Sequence, residues 1–98
     1  MNIQAMMKQA QKLQKDMMSA KEEIDKTEFE GTSEMVTVTF NGAKKLLRVK
    51  LNVSEIESDD VEILEDMFVV AVNNAMNQID KETDEKMGKY TQGMPGLF

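Results

Sequence analysis

The sequence predicts an α+β fold in which two long helices flank a small antiparallel sheet. Three observations carry that reading. Gly and Pro stand only at 31, 42, 88, 93, 95 and 96, so neither 1–30 nor 43–87 holds a breaker. Apolar residues recur at helical spacing through the first two dozen positions. Strict alternation brackets an Asn-Gly pair in the middle. Ninety-eight residues make one domain, expected as a helical arm over 1–26, a sheet over 27–53, a second helix over 58–88 and a tail over 89–98.

The first helix rests on Ile3, Met6, Ala10, Leu13, Met17, Ala20 and Ile24, spaced 3, 4, 3, 4, 3, 4. That is an unbroken a/d heptad seam. The intervening residues are mostly Gln, Lys, Glu and Ala, good helix formers. At 1.5 Å per residue the rod is roughly 35 Å long. A chain of this size buries only roughly 60–70% of its unfolded surface. Part of the rod is therefore expected to project or to meet a partner helix.

The middle reads as β structure. Val36, Val38 and Phe40 alternate with polar residues, and Asn41-Gly42 follows, a strong hairpin signal. Leu47, Val49 and Leu51 then alternate with Arg48 and Lys50, and Thr27–Thr32, around Phe29, supplies a third strand at the edge. A two-residue turn sets Val38 opposite Lys45, whereas a four-residue loop pairs Val38 with Leu47. The longer loop is the expectation.

The second helix is expected to start near Ser58 or Asp59, with Asp59-Asp60-Val61-Glu62 as a capping box, and to end near Met87 with Gly88 as its C-cap. Its middle, Met67 to Val72, is apolar all round. A helix on a single sheet needs only one apolar stripe. Met67, Phe68, Val69, Val70, Val72 and Met76 are therefore expected to face both the sheet and a second subunit. A homodimer also suits the modest core.

Composition excludes several activities. The chain has no Cys and no His, which removes disulfides, thiolate sites, the usual zinc ligand sets and His-based catalysis. Glu55, Glu57, Asp59, Asp60 and Glu62 lack the spacing of a calcium loop and fit helix capping. There is no Gly-rich phosphate loop. The expectation is a protein that is not an enzyme and uses no cofactor, metal or small-molecule substrate. No signal peptide or membrane-spanning run is visible, so a cytoplasmic protein without membrane partners is expected.

Charge is distributed unevenly. The net charge is −6, yet residues 1–15 carry Lys8, Lys12 and Lys15 and no acid, leaving −9 on the remainder. On a helical wheel the three lysines cluster roughly 160° from the a/d seam, flanked by Gln4 and Gln11. Such a face tracks phosphates, with Gln available to backbone or base edges. Its plain alternative is the solvated outside of a coiled coil. Lys81 lies among acids and reads as a surface ion-pairing residue, while Lys86 and Lys89 lie beyond the last acid. Lys44, Lys45, Arg48 and Lys50 fit the guarding of a sheet edge. Phe29, Phe40 and Phe68 occupy apolar positions, which favours contact with a duplex backbone over stacking on single strands.

Taken together, these segments resemble the YbaB/EbfC family of bacterial nucleoid-associated proteins over essentially the whole chain. The resemblance lies in Met6-Met7-Lys8-Gln9-Ala10-Gln11-Lys12-Leu13-Gln14, Phe29-Glu30-Gly31 and Val36-Thr37-Val38-Thr39-Phe40-Asn41-Gly42. It continues in Asp60-Val61-Glu62-Ile63-Leu64-Glu65-Asp66-Met67, Ala71-Val72-Asn73-Asn74-Ala75, Lys86-Met87-Gly88-Lys89 and Met94-Pro95-Gly96-Leu97-Phe98. It implies an α-β-β-β-α subunit, a tweezer-like homodimer with projecting helices, and binding to double-stranded DNA whose conformation it alters, with a further expected effect on gene expression. It places the protein at the bacterial nucleoid. Carried onto this chain, the contacts are Gln4, Lys8, Lys12, Lys15, Lys86 and Lys89, with Gln11 beside the stripe. The family often has Gly two residues after the Asn-Gly, where this chain has Lys44. A Debye length of about 8 Å at physiological salt partly insulates arm lysines from an acidic body. The competing expectation is a dimeric scaffold that binds another protein through the helix 1 seam without touching DNA.

Overall fold

A computed structural model describes residues 2–91. Helix α1 spans Ile3–Lys26, and strands β1 (Glu28–Thr32), β2 (Val36–Asn41) and β3 (Leu46–Leu51) follow. A 3-10 turn at Ser58–Asp60 leads into helix α2, Val61–Thr91. The order is therefore α-β-β-β-α, and the strands form one antiparallel sheet in the order β1-β2-β3. The shape is far from spherical. The radius of gyration is 19.4 Å, against about 13 Å for a compact chain of 100 residues. The principal extents are 71 × 21 × 14 Å.

Helix α1 starts where the Asn2 side chain accepts the Gln4 N–H at 3.0 Å, filling one of the open donors of the first turn. It ends at Thr27, whose backbone turns extended and whose hydroxyl donates to the Glu23 carbonyl at 2.7 Å. The chain then enters β1 directly.

Helix α2 lies across β1 and β2. Phe29, Val36, Val38 and Phe40 of the sheet meet Ala71, Ala75 and Ile79 of the helix, and Leu64, Met67, Phe68, Val72 and Met76 pack around that core. The approach is close because small residues face each other. A Cβ built on Gly31 stands only 1.9 Å from the Ala71 carbonyl oxygen. The helix also seals the free edge of β1. Asn74 Nδ2 donates to the Thr32 carbonyl at 3.0 Å and Gln78 Nε2 to that of Glu30 at 2.7 Å. The Ser33 hydroxyl donates to the Met67 carbonyl at 2.9 Å.

The other edge is left open. A helix about 10 Å wide covers roughly two strands spaced 4.8 Å apart, and α2 makes no packing contact with β3. Every residue of β3 is exposed, including Leu46, Leu47, Val49 and Leu51. The ion pair Arg48–Glu28 bridges the sheet over β2.

Three local features differ from the sequence reading. Val38 pairs with Val49, not with Leu47. Three residues, Gly42, Ala43 and Lys44, form the hairpin loop, closed by Lys44 N–H to the Asn41 carbonyl and Asn41 N–H to that of Lys45. Lys44 takes the left-handed conformation, φ 67°, that this loop requires. Phe40 then pairs with Leu46 and Thr39 with Arg48, so Leu47 is the extra residue of a bulge. The helix 2 cap is also earlier than Asp59-Glu62. The Glu57 N–H donates to Asp60 Oδ2 at 3.1 Å, because a 3-10 turn precedes the α-helix. Finally, α2 does not stop at Gly88. Met87 and Tyr90 are buried against α1, and that packing carries the helix through Gly88 to Thr91. Of the tail expected over 89–98, residues 92–98 lie outside the described residues.

Candidate nucleic-acid interface

The lower half of α1 is anchored and the upper half is not. Ile24, 2% exposed, packs with Met87 and Tyr90, while Met17 and Ala20 lie against the same cluster. A second lock sits at the hairpin. Gly42 donates to the Thr27 carbonyl at 3.0 Å, and a Cβ there stands 1.9 Å from the Ile24 carbonyl. The two helices run antiparallel: Ile24 and Asp25 of α1 lie beside Ile79 to Met87 of α2, and Asp16 and Ser19 lie beside Glu85 to Tyr90.

From Asn2 to Asp16 every residue is exposed. The a/d seam is therefore graded: buried at Ile24, half-buried at Ala20 and Met17, then open at Leu13, Ala10, Met6 and Ile3, the last 71% exposed. This part of α1 is the projecting arm.

On that arm Gln4, Lys8, Gln11, Lys12 and Lys15 share the side facing away from the seam. Lys8 and Lys15 lie about 10 Å apart along the axis at 1.5 Å per residue, with Lys12 between them. Among the described residues none of these three lysines has an ion pair. Their charge is unspent and presented to solvent.

Lys86 and Lys89 sit differently. Both line the groove between the helices together with Asp16, Glu23, Glu85 and Tyr90. Lys86 pairs with Glu82 at 3.5 Å, and the Lys89 ammonium lies 5.0 Å from the centre of the Tyr90 ring. The structure thus splits the sequence-derived basic set. Three lysines stand unopposed on the arm, and two stand at its root among carboxylates.

The α2 residues expected at a subunit interface also divide. Met67, Phe68, Val72 and Met76 are half-buried on the core, whereas Val69 and Val70 are 60% and 50% exposed. Sequence reasoning missed a second exposed apolar surface, the four apolar side chains of β3. The signal was present in the alternation of Leu47, Val49 and Leu51. What was lacking was the recognition that one helix cannot cover three strands.

No helix among the described residues is long and apolar enough to cross a membrane.

Comparison with known proteins identifies the fold and its relatives. The pattern of the YbaB/EbfC DNA-binding family matches residues 1–94. A nucleoid-associated protein of Lactococcus lactis subsp. cremoris (strain MG1363) is 50% identical, covering 97% of this chain and 98% of that protein. A nucleoid-associated protein of Ligilactobacillus salivarius (strain UCC118) is 46% identical, covering 99% of this chain and 95% of that protein. Among solved structures, an uncharacterised protein of Helicobacter pylori superposes with a TM-score of 0.74 at 18% identity, covering 92% of this chain and 97% of that one.

Proposed function

The chain belongs to the YbaB/EbfC DNA-binding family, and from that premise we propose that it acts at the bacterial nucleoid as a homodimer that grips double-stranded DNA with its arms. The observation that supports this most is the arm itself, a fully exposed helical segment carrying Lys8, Lys12 and Lys15, none of them ion-paired among the described residues. Backbone phosphates are the target such a stripe suits, with Gln4 and Gln11 in reach of sugar or base edges. Lys86 and Lys89 contribute less, because neighbouring carboxylates offset them. Nothing in the arrangement resembles a helix built to read a major groove, so binding tracks charge and shape more than sequence. Conformational change of the DNA, and through it an effect on gene expression, follows from two arms engaging one duplex.

Dimerisation through the surface that α2 leaves uncovered places the two arms on one body. Leu46, Leu47, Val49 and Leu51 are exposed on an open strand edge, the kind of edge that invites pairing with another chain, and Val69 and Val70 are exposed on α2.

The test is an electrophoretic mobility shift with duplex DNA over a salt series. Three lysines from each of two arms neutralise about six phosphates, giving a log–log slope near −5 and roughly a thousandfold loss between 50 and 200 mM salt. The triple substitution Lys8→Glu, Lys12→Glu and Lys15→Glu abolishes the shift while the dimer stays folded. A wild-type dimer that leaves DNA unshifted at 50 mM salt would defeat the proposal.

A further inference from the structure

The lysine stripe uses one side of the arm, and among the described residues nothing packs against the opposite side. Ile3, Met6, Ala10 and Leu13 continue the heptad seam whose lower part is buried against α2, yet all four are exposed. We propose that this stretch docks on the same stretch of a second copy, as a short antiparallel coiled coil that leaves the lysines outward.

Three features of the segment favour its own copy over another occupant. First, the seam spacing 3, 4, 3 reads the same in both directions. An antiparallel overlap therefore sets Ile3 against Leu13 and Met6 against Ala10, pairing a long side chain with a short one in the inner layers so that they interdigitate. Second, the positions flanking the seam, Met7, Gln9 and Gln14, carry no charge, and the lysines occupy outer heptad positions. Two identical basic arms thus meet without like charges across the contact. Third, the first turn of α1 contains no acid to complement its positive end. Asp16, exposed at the base of the arm and without an ion pair among the described residues, comes just beyond the partner's Asn2 cap in the antiparallel overlap, about one helical turn past Leu13, and supplies negative charge in trans at that positive helix end.

The helix needs no folding on contact, because Ile24, Met87 and Tyr90 already hold its lower half. Such a two-heptad contact is weak alone and gains from the high local concentration of neighbouring dimers on one DNA. The pairing itself does not depend on DNA binding. Its consequence, two DNA-bound dimers joined arm to arm, rests on the proposed DNA reading.

The chain has no cysteine, so trapping is clean. Full-length Met6→Cys is mixed with affinity-tagged Ala10→Cys under mild oxidation without DNA, and the mixed disulfide is measured against Lys8→Cys mixed with its own tagged form. The seam pair is expected to give about tenfold more cross-linked product, because a disulfide forms only where the two Cβ atoms come within bonding distance. Sedimentation of Leu13→Lys should show loss of species larger than the dimer with an unchanged melting temperature, since Leu13 is exposed. No excess of the seam disulfide over the control overturns the proposal. So does an excess that emerges only after residues 92–98 are removed, which makes the chain's own end the occupant. A seam disulfide that persists with no DNA shift leaves the pairing standing and defeats the DNA reading instead.

Discussion

Gly31→Ala tests the closest approach in the fold. The added methyl stands 1.9 Å from the Ala71 carbonyl oxygen, 2.7 Å from the Ala75 nitrogen and 2.9 Å from the Ala75 Cβ. The first two contacts are backbone atoms, so no rotamer change relieves them. To reach ordinary contact α2 has to retreat by about 1.5 Å, and a gap even smaller than that already forfeits a quarter to a half of the dispersion attraction across the interface. The loss falls on the whole layer between Phe29, Val36 and Val38 below and Ala71, Ala75 and Ile79 above. Overpacking commonly costs 1–3 kcal/mol, and the backbone clash sets the value here near 3 kcal/mol. With a urea m-value of about 1 kcal/mol/M, the midpoint of unfolding drops by about 3 M at fixed protein concentration. Adding Ala75→Gly removes only the 2.9 Å contact and restores little. The matching control is Gly88→Ala, where a Cβ meets nothing within 4 Å. In a helix interior that change stabilises by roughly 0.5–1 kcal/mol, whereas at a left-handed C-cap it destabilises. A midpoint shift under about 0.5 M for Gly31→Ala, or a loss of stability for Gly88→Ala, would refute the packing described above.

Other perturbations separate arm, loop and edge. Ile24→Ala opens the cluster at the arm root and should cost about 2–4 kcal/mol; far-UV circular dichroism should show loss of α1 helicity, and DNA affinity should fall although no lysine is touched. Lys44→Gly relieves a left-handed backbone at the expense of an exposed ion pair to Asp80, for a net gain of roughly 0.5 kcal/mol, read as a melting point higher by about 2–4 °C. Lys44→Val at the same position should destabilise by about 1–2 kcal/mol in the same assay. Val49→Glu on the open strand should shift the sedimenting mass from dimer to monomer and make stability independent of protein concentration.

Much of this architecture was legible in the sequence because it depends on periodicity. The a/d spacing of Ile3 to Ile24 defined α1 to within two residues of its end, and the alternation of Val36, Val38 and Phe40 marked the buried face of β2. Features set by tertiary contact were not legible. Gly88 looks like a terminator locally, but the burial of Met87 and Tyr90 against α1 overrides that signal. The hairpin register turned on whether Lys44 accepts a positive φ, which propensity alone does not decide. The lysine stripe was visible at once as Lys8, Lys12 and Lys15. The contrast with Lys86 and Lys89 emerged only when the fold brought Asp16 and Glu23 of α1 beside them.

The separation of charge along a 71 Å body has a kinetic consequence. Residues 1–15 hold +3 at the tip of the arm, and the remaining −9 lies behind it. Each protomer is therefore an electric dipole as well as an anion. Near a polyanion the net charge repels, while the dipole feels a torque that turns the positive tip forward. At about 0.01 M salt the field reaches some 30 Å and acts on tip and body together; at physiological salt it reaches about 8 Å and acts on the tip alone. Salt thus changes the orientation in which the molecule approaches a polyanion, and on the proposed reading of the arm the successful encounters are those that begin tip-first.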